Sequence, residues 1–130
     1  MENYKILKLI TIFLISLLAV SCELSTIEPR VITEEELLNY ETKIIQLSES
    51  VNCTNSSDWE FTPMGNKPCG GPVRYIAYHK SVKLEFLNLV KRFTSLQKAY
   101  NEQNNVLSDC PSVVTPKNVK CESGKAILVY

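Results

Sequence analysis

Apolar residues recur every three or four positions in two stretches of the chain, the spacing that gives an α-helix one buried face. The first stretch follows Thr33, a good N-cap, and Glu36 three residues later completes a capping box. Glu34 and Glu35 add negative charge at the positive end of the helix dipole. The apolar stripe consists of Leu37, Leu38, Tyr40, Ile44, Ile45, Leu47 and Val51. This pattern predicts a helix from residue 34 to about residue 51.

The second stretch predicts a longer helix, from about residue 82 to residue 104, with Ser81 as its cap. Its apolar stripe consists of Val82, Phe86, Leu89, Val90, Phe93, Leu96 and Tyr100. At 1.5 Å per residue the helix would be about 35 Å long, which makes it the main scaffold.

Shorter segments show the alternation of strands. Residues 59–61 and 73–78 are β-prone, and a turn rich in glycine and proline separates them. Residues 119–122 and 125–130 flank Ser123-Gly124, a two-residue hairpin turn. Val113-Val114, between two prolines, predicts an edge strand.

These elements together predict an α+β fold. Two helices would pack on a small antiparallel sheet, disulfide-stapled, built from the segments near 59–61, 73–78, 113–121 and 126–130.

The chain begins with the pattern of a secretion signal. Lys5 and Lys8 precede an apolar run from Leu9 to Val20, which at about a dozen residues is too short for a span of about 20. The run leads into Ala19-Val20-Ser21-Cys22, which resembles the lipobox of bacterial lipoproteins. The resemblance implies cleavage before Cys22, acylation of its thiol and anchoring in the lipid bilayer. An uncleaved anchor and a chance cysteine after an ordinary signal are the alternatives.

The lipobox divides the chain into a cleaved lipoprotein signal peptide (residues 1–21), a lipidated tether (22–32) and a single small α+β domain (33–130). Two or three acyl chains, at about 0.8 kcal/mol per buried CH₂, suffice for stable anchoring. Glu23 takes the place of the Asp that retains many lipoproteins at the inner membrane. We therefore predict a lipid-anchored protein of the cell envelope, with the outer membrane favoured over the inner membrane.

Charge excludes one class of function. The full chain has 14 basic and 14 acidic residues, and loss of the signal peptide leaves a net charge near −1. No basic stretch offers a surface for phosphates, so we predict no binding to nucleic acid.

The number of cysteines predicts two disulfides. Once Cys22 carries lipid, an even set of four cysteines remains: Cys53, Cys69, Cys110 and Cys121. Three connectivities are open, and we favour the local pairs Cys53–Cys69 and Cys110–Cys121 because each closes a short loop. Zinc is disfavoured, because Cys₄ zinc sites usually contain pairs two to four residues apart, whereas the closest two here are eleven apart. We predict no metal and no cofactor.

Catalytic chemistry has little support in the sequence. His79 is the only histidine, and Asp58, Glu60 and Asp109 are scattered acids without a spacing that demands a shared site. None of the common nucleotide-binding, metalloprotease or hydrolase motifs occurs. We therefore predict that the protein is not an enzyme.

A rigid loop around Cys69 is the best candidate for binding, because such loops often carry function. The candidate residues include two cationic and three aromatic side chains, with two glycines between them, and arginine and aromatic residues are enriched at binding surfaces. They are Trp59, Lys67, Gly70, Gly71, Arg74, Tyr75 and Tyr78. The alternative is that Trp59, Tyr75 and Tyr78 fill a small core.

The same region carries a wider resemblance. The Cys69-Gly70-Gly71-Pro72 element with its spaced tyrosines, the long helix after it, Ser108-Asp109-Cys110 and the Cys121 to Lys125 turn resemble a family of small bacterial lipoproteins of unassigned function. The resemblance covers most of residues 53–130 and brings no mechanism. We predict a non-enzymatic binding or structural module of the bacterial cell envelope that meets an unknown protein or envelope component. The alternative is an inhibitor of a periplasmic or extracellular hydrolase that presents the rigid loop around Cys69.

Overall fold

The computed structural model describes residues 30–130, of which residues 31–130 form one compact unit. The predicted signal peptide, the lipidation site Cys22 and most of the tether lie outside the described residues. Within residues 30–130, no helix has both the length and the apolar character needed to cross a bilayer.

Two helices and two β-hairpins make up this unit. In chain order they are α1 (Glu34–Ser48), β1 (Trp59–Met64), β2 (Arg74–His79), α2 (Lys83–Gln103), β3 (Asn118–Glu122) and β4 (Lys125–Val129). β1 pairs antiparallel with β2, and β3 pairs antiparallel with β4. The predicted α+β fold with disulfide staples is confirmed.

The hairpin β1–β2 lies between the helices and the second hairpin, so both of its faces are covered. Met64, Ile76 and Tyr78 point to the helices and join a cluster whose fully buried members include Ile44 and Phe86. Residues of the opposite face form a second cluster with the hairpin β3–β4. Its members on the two hairpins are Trp59, Phe61, Ala77, Val119, Cys121, Ala126 and Leu128. The alternation of side chains along β1 and β2 therefore divides the core into two layers.

The four strands form two stacked sheets rather than one. Each sheet has two strands, and β1 lies against β3 while β2 lies against β4. The predicted edge strand at Val113-Val114 is wrong, because residues 106–117 form no helix or strand. Pro111 and Pro116 lack the N–H groups that a strand ladder needs.

The first helix begins as predicted and ends earlier. The Thr33 hydroxyl oxygen accepts a hydrogen bond from the Glu36 N–H at 3.1 Å, so the cap is confirmed. The helix stops at Ser48 instead of residue 51. Leu38 and Ile45, counted in the apolar stripe, are exposed by 61% and 37%. Because the partners of α1 in the core are α2 and β2, this outer row of the helix stays in solvent.

The second helix matches its predicted range to within a residue, but Ser81 does not cap it. Val82 occupies the cap position and makes no side-chain cap bond. Instead the His79 ring nitrogen Nδ1 accepts a hydrogen bond from the Ser81 N–H at 3.2 Å. This bond begins a short 3₁₀ turn, Lys80–Val82, which leads directly into α2.

The predicted turn between β3 and β4 is present. Ser123 and Gly124 have φ angles of 50° and 78°, both in the left-handed region that a two-residue type I′ hairpin requires. The Gly124 carbonyl oxygen also accepts a hydrogen bond from the Cys53 N–H at 2.8 Å. This bond ties the second hairpin to the loop that follows α1.

The favoured local disulfide pairing is wrong. The bonds are Cys53–Cys121 and Cys69–Cys110, with Cα–Cα distances of 5.3 Å and 6.1 Å. Stacking of the two hairpins brings Cys121 of β3 beside Cys53, and the chain after α2 returns along the turn that contains Cys69. Each disulfide therefore joins distant parts of the sequence instead of closing a local loop.

Candidate functional site

An open groove of about 890 Å³ lies along one side of the stacked hairpins. Its walls are the outer edges of β2 and β4, and its end is closed by the last turn of α1 and residues 49–52. Within residues 30–130, β2 pairs only with β1, and β4 pairs only with β3. Each of these strands therefore has an edge without a strand partner. Because β2 lies against β4, the two free edges open on the same side.

The lining of the groove is apolar in its depth and charged at its rim. The half-buried residues in its depth are Ile76, Ala126 and Leu128. They pack against the two core clusters and also line the groove. The exposed side chains at the mouth include Ile45, Glu49, Lys125 and Ile127, together with Arg74. The Arg74 guanidinium is held by Glu41 of α1 at 2.8 Å. The groove thus combines apolar contact surface with unpaired strand edges.

The structure separates the seven predicted binding residues into three places. Arg74 and Tyr75 line the groove, and Trp59 touches it from the core layer between the hairpins. Tyr78 is only 3% exposed and points to the helices on the opposite face of β2. The groove follows the free edge near the start of β2, so it includes the neighbours Arg74 and Tyr75, whereas Tyr78 lies near the end of the strand and is buried in the core.

The remaining three predicted residues belong to the Cys69 turn, which we define as residues 65–72. The Gly65 N–H donates to the Thr94 hydroxyl at 3.1 Å, and the Asn66 N–H donates to Gln97 Oε1 at 2.7 Å. Gly65 has a φ of 80°, and a β-carbon there would lie 2.6 Å from that same Gln97 oxygen. Glycine is therefore required where the turn contacts α2.

The tip of the Cys69 turn is exposed but offers few side chains. Gly70 and Gly71 have positive φ angles and open space around them. The Lys67 ammonium donates to the Pro111 carbonyl oxygen, so it crosses to the chain that follows α2. The Lys67 N–H donates to the Gly71 carbonyl oxygen at 3.0 Å and closes the turn. The tip is thus held by a hydrogen bond within the turn and by one to the chain that follows α2.

Tyr78, Glu60 and Lys83 form a polar cluster at the edge of the core. The Tyr78 hydroxyl donates to Glu60 Oε2 at 2.6 Å, and Lys83 Nζ lies 2.8 Å from the same oxygen. These two hydrogen bonds, that of Lys83 first, lower the pKa of Glu60. Burial, reinforced by the bond to Glu60, raises the pKa of Tyr78 to about 12. A phenol that holds its proton so firmly is a poor general base, and the cluster serves to join β1 and β2 to the start of α2.

This raised pKa makes the stability of the protein depend on alkaline pH. In the unfolded chain Tyr78 ionises around its ordinary pKa of 10, whereas in the folded chain it holds its proton to about 12. The stabilisation is therefore complete below pH 10 and is lost as the pH rises to 12. We expect Tyr78→Phe to lose less stability than the wild type over this range, as measured by urea unfolding at several pH values. The exposed Tyr130→Phe is the control, and an equal loss in all three proteins would contradict the assignment.

His79 packs against Trp59 and contacts the hydroxyl of Ser81, which belongs to the same 3₁₀ turn. The two rings make an edge-to-face contact with centroids 5.4 Å apart, and the Nδ1 atom is engaged by Ser81. Among the described residues, no group of three or more His, Cys, Asp or Glu side chains is arranged to hold a metal ion.

The groove could not be predicted from the sequence, because its walls come from parts of the chain that are far apart. Ile45, Ile76 and Ile127 approach one another only when the hairpins stack against the end of α1. One local signal was present: Leu38 and Ile45 are seven residues apart and widen the apolar stripe beyond what a helix covered on one side can bury. No family model, curated protein or solved structure matches this chain.

Proposed function

We propose that the chain is a lipid-anchored, non-enzymatic binding module of the bacterial cell envelope. Its site is the groove between β2 and β4, and its ligand is an extended segment of a partner polypeptide. The observation that carries the proposal is that the free edges of two strands line one groove. Free strand edges present N–H and C=O groups that an added strand can pair with.

The dimensions of the groove suit a short extended segment. β4 has five residues, and at about 3.3 Å per residue its edge is about 17 Å long. A peptide of four to six residues would satisfy the edge of one strand while alternate side chains enter the groove. The mouth residues Ile45 and Ile127 would contact apolar side chains of the ligand, and Glu49 and Lys125 would select charges at its ends.

The position of the groove supports the idea of an anchored receptor. The chain enters the domain at Ile32, which is fixed to the end of α2 by two hydrogen bonds with the Gln103 amide, of 2.9 Å and 3.1 Å. The groove lies at the other end of α1, which at 1.5 Å per residue is about 22 Å long. The point where the chain enters the domain and the groove therefore lie at opposite ends of α1.

The groove accounts for binding better than the Cys69 turn does. An inhibitor loop must fill a hydrolase pocket with side chains, but Gly70 and Gly71 have none. The Lys67 ammonium is already engaged by Pro111. The inhibitor hypothesis therefore has less support than the groove.

The anchor is tested by replacing the lipidation site. We expect Cys22→Ser to move the protein from the membrane fraction to the soluble fraction, because the acyl chains supply the membrane affinity. Mass spectrometry of the wild-type N-terminal peptide should show residue 22 as the first residue, with two or three acyl chains attached. A wild-type protein that retains Met1 and carries no lipid would refute the anchor without affecting the groove.

The groove is tested with peptides selected from a random display library against the chain lacking residues 1–21. We expect Ile45→Gln to weaken binding of the selected peptides about fivefold, since about 1 kcal/mol of apolar contact is lost. Leu38→Gln is the matched control, because Leu38 is an exposed apolar residue of the same helix outside the groove. Equal affinities of the two variants, or selected peptides that do not perturb the amide resonances of β2 and β4, would refute this site.

A further inference from the structure

The two disulfides differ sharply in their surroundings. Cys53 is 4% exposed and packs with Trp59 and Val119, and its partner Cys121 is half-buried in β3. Cys69 and Cys110 are both exposed. A thiolate must reach a sulfur in line with the bond it breaks, so only the second disulfide is open to attack in the folded protein.

The chain around Cys110 depends on few contacts. Residues 106–115 form a segment without helix or strand, which we call the 106–115 segment. All of its residues except Val113 are exposed. Apart from the disulfide, the segment is held by Lys67 at Pro111 and by the Tyr75 hydroxyl, which lies 2.9 Å from the Thr115 hydroxyl. The N–H of its first residue, Val106, donates to the Asn101 carbonyl oxygen at 3.0 Å.

The backbone at Cys110 supplies a second reason for lability. Cys110 has a φ of 57°, in the left-handed region that residues other than glycine seldom adopt. The disulfide to the Cys69 turn and the hydrogen bond from the Cys110 N–H to the Ser108 hydroxyl both constrain this residue, and breaking the disulfide removes one of these two constraints. Neither cysteine of the buried pair has a positive φ.

From these observations we propose that Cys69–Cys110 is a thiol–disulfide exchange site for a dithiol reductant, and that Cys53–Cys121 stays oxidised through the exchange. A thiolate of the dithiol attacks the sulfur of one of the two cysteines, and the other leaves as a thiolate that takes up a proton. The second thiol of the reductant, after losing its proton, attacks the mixed disulfide and releases the first cysteine. The protein gains two electrons and two protons, and the dithiol becomes a disulfide.

The buried disulfide keeps the domain folded during this exchange. It joins β3 to the loop after α1, and both core clusters lie outside the 106–115 segment. Reduction therefore frees the 106–115 segment from the Cys69 turn while the helices and hairpins persist. The exchange site does not depend on the groove or on its ligand.

The test uses the full chain, folded and without denaturant. Free thiols are first blocked with N-ethylmaleimide, the protein is treated with dithiothreitol, and the new thiols are alkylated with an isotopically labelled maleimide. We expect peptides containing Cys69 and Cys110 to be labelled at least about tenfold faster than those containing Cys53 and Cys121, because attack requires access. Equal rates, earlier labelling of Cys53 and Cys121, or resistance of both disulfides in the folded protein would overturn the proposal.

Two variants separate the exchange site from general loosening of the fold. Lys67→Ala removes a contact that holds Cys110 near Cys69, so half-reduction should need about threefold less reductant, the effect of losing one hydrogen bond. Lys91→Ala, at an exposed position of α2, should change nothing. A protein disulfide oxidoreductase whose resolving cysteine is replaced by serine should be trapped on Cys69 or Cys110. Trapping on Cys53 or Cys121, or an equal effect of the two lysine variants, would contradict the assignment.

Discussion

Replacing Cys53 and Cys121 together with alanine is expected to lower the free energy of unfolding by about 5 kcal/mol. The disulfide spans 68 residues of sequence, and the loss of chain entropy in the unfolded state then contributes about 4 kcal/mol. Loss of the buried sulfur surface between Trp59 and Val119 adds about 1 kcal/mol. A domain of this size has about 5–15 kcal/mol in total, so the variant should retain about 0–10 kcal/mol.

The exposed disulfide is the natural control for this prediction. Cys69→Ala with Cys110→Ala removes a crosslink of sequence separation 41, worth about 4 kcal/mol in the unfolded chain. It removes no core contact and relieves the left-handed backbone at Cys110, so we expect a smaller loss, of about 2–3 kcal/mol. Urea unfolding of both variants without reductant measures the difference. If the Cys69–Cys110 variant is the less stable of the two, the assignment of the structural staple is wrong.

Phe86→Ala is expected to cost about 4 kcal/mol, the second large effect. Phe86 is fully buried, and its ring is stacked on that of Tyr78 with centroids 4.8 Å apart. It lies where α2 crosses the hairpin β1–β2, so its removal leaves a cavity bounded by the helix on one side and the strands on the other. Neither side can close the cavity without moving a whole element.

Leu84→Ala supplies the matched control on the same helix. Leu84 lies two residues earlier and is 79% exposed, so the substitution should change stability by less than about 0.5 kcal/mol. Thermal unfolding measures both variants, and each kcal/mol corresponds to a shift in Tm of about 4–8 °C for a domain of this size. Similar shifts for Phe86→Ala and Leu84→Ala would show that α2 does not pack through Phe86.

Local physical chemistry explains which elements could be predicted. The Thr33 cap depends on residues three positions apart, and the Ser123-Gly124 turn depends on two adjacent residues. The periodicity around Phe86 identifies a long helix because a helix repeats its contacts within a single turn. In each case the groups that interact are neighbours in the sequence, so their spacing carries the information.

The predictions that failed concern contacts between distant residues. Ser81 fits the pattern of a cap, but at this corner the His79 side chain accepts the Ser81 N–H and the Ser81 side chain caps nothing in the second helix. The edge strand at Val113-Val114 failed because Pro111 and Pro116 on either side have no N–H to donate to a strand ladder, and this part of the chain is bonded to Lys67 and Tyr75 instead. Local closure of the disulfides failed because the loop entropy increases only slowly with length, and three-dimensional proximity decided the pairing.

The candidate site also shows that local sequence predicted some features and that contacts between distant residues decided others. Arg74 and Tyr75 were selected for their residue types, and both line the groove. Trp59 and Tyr78 were selected for the same reason, but their rings fill the two core clusters on opposite faces of the hairpin. Residue type identifies a side chain that can bind, whereas burial decides whether it is available to a partner.

By itself the sequence determined the α+β class, the start of the first helix, the range of the second helix, the second hairpin and the even set of four cysteines. It also carries the predicted lipobox, since that signal is a contiguous run of residues. Only the tertiary structure decided the stacking of β2 over β4, the pairing of Cys53 with Cys121 and of Cys69 with Cys110, and the groove. Stacking depends on shape and burial between elements that are separated by tens of residues, and no local spacing records those contacts.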